Sequence, residues 1–284
     1  MKKILVPIDF SDNSINALEY AVEMSKFLGS EIVLFNSYPI DVAMGMEYSS
    51  GAYMQTLNAE VKYDHKLRLE ELSSKYTNTF YNNSDRHIEF LTIITEGVAA
   101  DSIYQMTLDH DFDLIVMGTQ GASGLEEVLL GSITAAVIDR VDIPVLAIPE
   151  KAKFGGLKKL VYATNFHEDD CKAIDGLSLI SEKFNAELTC LHINTSLDKS
   201  EDDNQKLDEL QHNYKFVPLN KINFKLVHSK GVEKGIIQFL RENDVDMIAV
   251  LPEDRGFIES LFHKSTTKKL AFHSEVPLYV AKKV

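Results

Sequence analysis

Short apolar runs recur along the chain, each followed by polar turn residues and then by apolar positions at helical spacing. Lys3-Ile4-Leu5-Val6-Pro7-Ile8 is the first run, and its unbroken apolar character predicts a strand buried on both faces. Asp9-Phe10-Ser11-Asp12-Asn13 is a turn rich in helix-capping residues. Ile15, Leu18, Ala21, Val22 and Leu28 then mark one helix face, and Gly29 stands where a left-handed cap belongs. Glu31 to Ser37 reads as the second strand. Residues 38 to about 56 lose the periodicity and carry two glycines and three methionines, so they read as a long surface loop. A charged helix is predicted from Leu57 to Tyr76, a polar loop from Asn78 to Arg86, and a third strand from Ile88 to Thr95, ended by Gly97. A helix over Val98 to Leu108, a fourth strand over Leu114 to Met117, a helix from Ser132 and a strand over Val145 to Ile148 complete the unit.

Strands alternating with helices predict an α/β fold with a parallel sheet covered on both faces. The pattern then repeats. Lys159 to Phe166 lines up with the first strand and its turn at a shift of 156, so Asn165-Phe166 stands where Asp9-Phe10 stood. That shift holds to Ile193 and matches Asn185 with Gly29, asparagine being the other residue that tolerates a left-handed cap. From Gly231 the shift is 134, and from Asp246 it is 133. The fall from 156 to 134 places 22 fewer residues in the second half, around the long loop and charged helix. Two domains are therefore expected, 1–150 and 151–284, with Glu150 to Gly156 as the linker.

Composition narrows the function. The chain has 284 residues, 45% of them hydrophobic, enough for each half to bury a core. A net charge of −14 argues against nucleic-acid partners and anionic membrane surfaces. No apolar run has membrane-spanning length and no signal peptide is evident. Cys171 and Cys190 make no disulfide framework, so a cytoplasmic location is expected.

The candidate chemistry lies at Gly118-Thr119-Gln120-Gly121, followed after nine residues by Gly131-Ser132-Ile133-Thr134. A glycine-rich loop between a buried strand and a helix start suits a phosphate group. Glycine allows close approach, and the first helical turn offers unpaired N–H groups with partial positive charge. Asp9 can act as a nucleotide contact or as a helix-capping carboxylate, and Ser132 and Thr134 can cap the helix they begin.

With these residues in view, the chain resembles the universal stress protein family in its tandem form. The Gly-x2-Gly-x9-Gly-Ser pattern at Gly118, Gly121, Gly131 and Ser132 is that family's ATP-binding motif, accompanied here by Pro7-Ile8-Asp9. The resemblance implies two Rossmann-like domains, each an open five-stranded parallel sheet of order 3-2-1-4-5 with a ligand crevice between strands one and four. It implies that Asp9 contacts the adenosine part, with Pro7 and Ile8 walling the base and Ser37 beside adenine. Met117 and Gly118 would border the ribose, while Gly121, Gly131, Ser132 and Ile133 would carry the phosphates, with Thr134 beside them. The implied ligand is ATP, or else ADP or AMP, with or without Mg²⁺. The fifth strands, each preceded by proline (Pro144, Pro277), would pair the two halves as a pseudo-dimer, and whole chains could dimerise further.

In the second half Gly118, Gly121 and Gly131 are replaced by Leu251, Asp254 and Lys264, and Asp9 by Asn165, while Ser265 is kept. That half is expected not to bind ATP, because Glu253 and Asp254 add negative charge where close main-chain approach is lost. His167, Cys171, Cys190 and His192 could supply a zinc donor set. Yet Cys171 and Cys190 align with the core positions Ile15 and Leu34, and the two histidines with Ser11 and Asn36, so no metal site is expected. Met44, Met46, Tyr48 and Tyr53 could form a lid, a partner surface or an ordinary mobile loop.

Three functions fit: a nucleotide-dependent regulator in stress response, a slow ATP hydrolase, or a scaffold whose second domain takes a lipid, metal or protein. The glycine loop has no P-loop lysine, and Glu126 and Glu127 are spaced like exposed helix residues. Binding without appreciable turnover is the favoured expectation, with no catalytic residue assigned.

Overall fold

The computed structural model describes residues 1–38, 51–83, 88–120, 130–195, 200–214, 222–252 and 276–283, the side chains of 51–55, 78–83, 200 and 201 excepted. Gly121 and Met44, Met46 and Tyr48 lie outside these residues, as do Glu126, Glu127, Glu253, Asp254, Lys264 and Ser265; the side chain of Tyr53 is likewise undescribed. The chain forms two compact units. One comprises Met1–Gly124 and Gly131–Ile143, and the other Leu125–Leu130 and Pro144–Val284.

In the first unit, β1 (Lys3–Pro7), β2 (Glu31–Tyr38), β3 (Phe90–Glu96) and β4 (Leu114–Gly118) form a parallel sheet in the order β3-β2-β1-β4. Ile4, Leu5 and Val6 are fully buried, as their unbroken apolar run requires. Helix α1 (Asp12–Leu28) starts at Ser11, whose side chain accepts from the Ser14 N–H, and stops at Gly29 in the left-handed conformation, φ 69°. The cap is thus Ser11 rather than Asp9. Helix α3 (Ala99–Asp109) precedes β4, and α4 (Ser132–Arg140) follows it.

The expected loop–helix–loop across 38–86 is corrected. Helix α2 runs from Gly51 to Asn83, taking in the end of the first expected loop and most of the second. No glycine or proline occurs between Gly51 and Gly97, so nothing in the chain breaks the helix at either expected boundary. The helix buries Leu69 and Tyr76, and the Tyr76 hydroxyl donates to Glu19 of α1 at 3.1 Å.

The second unit contains β5 (Val145–Ile148), β6 (Lys159–Ala163), α5 (Asp170–Phe184), β7 (Glu187–Asn194), α6 (Ser200–Asn213), β8 (Ile222–His228), α7 (Val232–Asn243), β9 (Met247–Val250) and β10 (Leu278–Val280). Its parallel strands run β8-β7-β6-β9-β10, and β5 adds antiparallel against β10, with Leu146 opposite Tyr279. Helix α5 ends at Asn185 with φ 54°, matching Gly29.

Details of the repeat reach single hydrogen bonds. The Asp113 carboxylate accepts from the N–H groups of Lys2 and Lys3 at 2.6 and 2.9 Å. Asp246 accepts from Lys158 and Lys159 at 2.7 and 2.8 Å. Both carboxylates anchor the start of the central strand of their unit.

Candidate functional site

The parallel register of β1 with β4, Ile4 beside Leu114 and Leu5 beside Ile115, brings the carboxyl ends of both strands to one edge of the sheet. Pro7 and Ile8 therefore lie on the same edge as Met117 and Gly118. Pairing of Pro7 with Phe35 carries β2 to this edge as well, and half-buried Ser37 follows two residues on. This is where ligands bind in open parallel sheets, at the switch in strand order.

Gly118 has a structural reason to be glycine. A Cβ there would stand 3.0 Å from the main-chain oxygen of Asn13 and 3.2 Å from that of Gln120. The start of α1 thus packs directly on the end of β4. On the other side, Thr134 is buried and donates its hydroxyl to the Gly118 carbonyl at 2.9 Å. Thr134 serves here as a tie between β4 and α4.

Gly131 is the N-cap of α4, with extended backbone at φ −66° and ψ 154°. Its N–H donates to the Thr119 carbonyl at 2.6 Å and closes the ends of the glycine loop on each other. The first bond inside the helix runs from Ala135 N–H to the Gly131 carbonyl. The N–H groups of Ser132, Ile133 and Thr134 precede it, so the helix offers them no internal acceptor. Ser132 and Ile133 are exposed. No acidic side chain sits in this first turn, whereas α1, α3, α5 and α7 carry Asp12, Asp101, Asp170 and Glu233 there. In a chain of net charge −14, the helix start nearest the glycine loop keeps its partial positive charge uncompensated from within.

Asp9 is exposed at the end of β1, and its Oδ1 accepts from the N–H and hydroxyl of Ser11 at 3.0 and 2.5 Å. Phe10, the next residue, has φ 63°, a conformation disfavoured for a bulky side chain. Ile8 is buried. Its N–H donates to the Phe35 carbonyl and its own carbonyl accepts from Asn36 Nδ2, both at 2.7 Å.

Three residues of this neighbourhood escape sequence reading. Asn36 holds the Ile8 carbonyl, His65 of α2 meets Asn36 Oδ1 through Nδ1 at 2.8 Å, and Arg68 lies 4.0 Å over the ring of Phe10. The ring of His65 sits 5.7 Å from Phe10 and 5.6 Å from Tyr38. Burial lowers the pKa of His65 and the Arg68 charge adds to this, against a smaller opposing effect of Asp64. Only the matching of Asn36 with His192 and of Phe10 with Phe166 hints at the cluster in the sequence.

The second unit carries a different set at the equivalent edge. Asp170 is 1% exposed and accepts from the Tyr162 hydroxyl at 2.6 Å and from the Thr164 hydroxyl. Burial, then the nearby Asp170 charge, pushes the Tyr162 hydroxyl far up, so it remains a donor. Leu251, at the place of Gly118, is buried. Cys190 lies fully buried in β7, His192 Nδ1 is 3.0 Å from the Thr164 carbonyl, and the Cys171 carbonyl accepts from the Tyr214 hydroxyl. Among the described residues no three His, Cys, Asp or Glu side chains converge as a metal-binding group. Among them, too, no helix is long and apolar enough to cross a membrane.

A parallel sheet whose strand order turns at β1 and β4, with the helix start at Gly131 beside those strand ends, defines a Rossmann-like class of α/β architecture. The family model described as the universal stress protein family matches residues 1–149, and the chain belongs to that family. Universal stress protein MJ0531 of Methanocaldococcus jannaschii is 29% identical over 152 residues, covering 54% of this chain and 84% of that protein. Universal stress protein YxiE of Bacillus subtilis is 29% identical over 151 residues, covering 51% of this chain and 97% of that protein. The crystal structure of a universal stress protein from Archaeoglobus fulgidus DSM 4304 aligns over 99% of this chain and 98% of that one, with TM-score 0.72 and 20% identity. That likeness of fold extends over both halves.

Proposed function

We propose that the first repeat, residues 1–150, binds an adenine nucleotide and that the protein acts as a nucleotide-dependent regulator in stress response. ATP is the leading ligand, with ADP and AMP as the alternatives. The observation that carries this reading is the start of α4. Three N–H groups without internal acceptors follow Gly131 there, and the Thr134 bond holds them beside the end of β4. In this reading Ser132 and Ile133 meet the phosphates through their N–H groups, together with Gly121. Met117 and Gly118 border the ribose, and Asp9, Pro7, Ile8 and Ser37 surround the adenosine part. Mg²⁺, when present, travels with the phosphates.

The second repeat, residues 151–284, is a structural or regulatory partner in this reading. Its fifth strand pairs with that of the first repeat to make a pseudo-dimer, and two chains can associate further. A cytoplasmic location accords with a nucleotide ligand. Calorimetric titration of the intact protein with ATP, ADP and AMP tests the proposal, with Gly131→Lys as the control that copies the second repeat. Micromolar binding that this substitution abolishes is the expected result. Absence of binding by all three nucleotides would overturn it.

A further inference from the structure

The turn that carries Asp9 is braced from α2, and the second unit builds the same brace from other residues. In the first unit the Ile8 N–H donates to the Phe35 carbonyl at 2.7 Å, and the Ile8 carbonyl accepts from Asn36 Nδ2. In the second, Thr164 N–H donates to the Leu191 carbonyl at 2.9 Å, and His192 Nδ1 meets the Thr164 carbonyl at 3.0 Å. Two residues on, Phe10 and Phe166 take left-handed φ values of 63° and 65°. Each bears on an imidazole: Phe10 on His65 at 5.7 Å, and Phe166 on His192 at 4.2 Å. The imidazole comes from α2 in one case and from β7 in the other. Arrival at one contact by two routes argues that the contact holds the turn.

The chemistry of the first brace is determinate. A carbonyl only accepts, so the Asn36 amide must present Nδ2 to Ile8 and Oδ1 to His65. His65 Nδ1 must then carry the hydrogen. Arg68, one helical turn beyond Asp64, covers the ring of Phe10 and closes the cluster. Phe10 is thereby held in a conformation it would not choose, and Asp9 lies between it and the fixed Ile8.

We infer that His65 is a positioning residue: through Asn36 and Phe10 it sets the Ile8–Phe10 turn and so the affinity of Asp9 for the adenosine part of the nucleotide. This rests on the proposed role of Asp9. The His65 contacts described above are with Asn36, Phe10 and Tyr38 and not with α4, so its effect is confined to ligands that carry adenosine.

Two measurements test the inference. Imidazole ¹⁵N spectra of the ligand-free protein should show His65 in the Nδ1–H tautomer; the Nε2–H tautomer would overturn the brace. Calorimetry should show His65→Ala binding ATP and adenosine roughly fivefold more weakly, the loss of about one hydrogen bond, with inorganic tripolyphosphate unaffected. His65→Gln, which can still donate to Asn36, should recover most of that loss. An unchanged affinity in His65→Ala, or an equal weakening for all three ligands, would overturn the role. A parent protein that binds no adenine nucleotide would overturn the functional proposal and this role with it.

Discussion

The Thr134 hydroxyl donates to the main-chain carbonyl of Gly118 across 2.9 Å of buried space, joining the last residue of β4 to the first turn of α4. Sixteen positions separate the two in sequence, and the glycine loop lies between them. Thr134→Val keeps the shape and removes the donor, leaving the Gly118 carbonyl short of a partner. A loss of about 1–2 kcal/mol is expected, measured by urea denaturation. Nucleotide affinity should fall in the same variant, because the helix start is no longer fixed to the strand end.

Gly118 admits the start of α1 to the end of β4. In Gly118→Ala the new Cβ meets main-chain oxygen at 3.0 Å on Asn13 and 3.2 Å on Gln120, and neither can rotate away as a side chain could. The variant is expected to lose about 1–3 kcal/mol, as overpacked cores do. Calorimetric unfolding checks this, and a variant as stable as the parent would show that α1 can shift at no cost.

Much of this architecture is written in the sequence. The runs at Ile4–Val6 and Leu114–Met117 are fully buried strands, and Gly29 and Asn185 both take the left-handed cap that their alignment implies. Helix α2 was less legible because its mean composition is polar and its apolar positions weakly periodic; only the lack of glycine and proline marks its extent. Its counterpart α6 has 14 residues against 33, which accounts for most of the shorter second half. At the glycine motif, Gly118 ends β4 and Gly131 caps α4, as the strand–loop–helix pattern implies. His65 and Arg68 were not legible, because an isolated histidine on a charged helix gives no sign of which strand end it will meet. Nor did the sequence reveal that the Gly131 N–H is already engaged by Thr119.

Acid should weaken the first unit through His65. Burial lowers its pKa in the folded protein below the ordinary 6.5, with the Arg68 charge adding to the effect. The unfolded chain then binds the proton more readily, so stability is full above about pH 6.5 and declines as pH falls through the folded value. Urea midpoints measured across this range should fall toward acid, and more steeply in the parent than in His65→Gln. Equal slopes in the two proteins would assign the decline to other groups.

Helix α7 ends on an exposed Asp244 with φ 49°, a left-handed residue bearing negative charge at the negative end of the helix. Both features are unfavourable. Asp244→Gly removes the Cβ conflict and the charge together, and should raise stability by about 1 kcal/mol, visible as a higher melting temperature. A lower one would mean that the aspartate makes an offsetting contribution at this turn.

Tyr162 and Asp170 distinguish the second unit from the first at the equivalent strand end, where Val6 and Ser14 stand instead. Tyr162 is fully buried and gives its hydroxyl to a carboxyl group that is itself almost wholly enclosed. Tyr162→Phe deletes the donor and leaves Asp170 with the Thr164 hydroxyl as its remaining bond among those described above. Losing a hydrogen bond to a buried carboxylate should cost about 1.5–3 kcal/mol. Thr164→Val should act in the same direction, and the double variant should depart from additivity because both changes act on one carboxylate. Neither residue belongs to the first repeat, so under the proposed division of labour ATP titrations of the folded variants should match the parent. A loss of nucleotide affinity in Tyr162→Phe would place ligand contacts in the second unit and reverse the division of labour proposed for the two repeats.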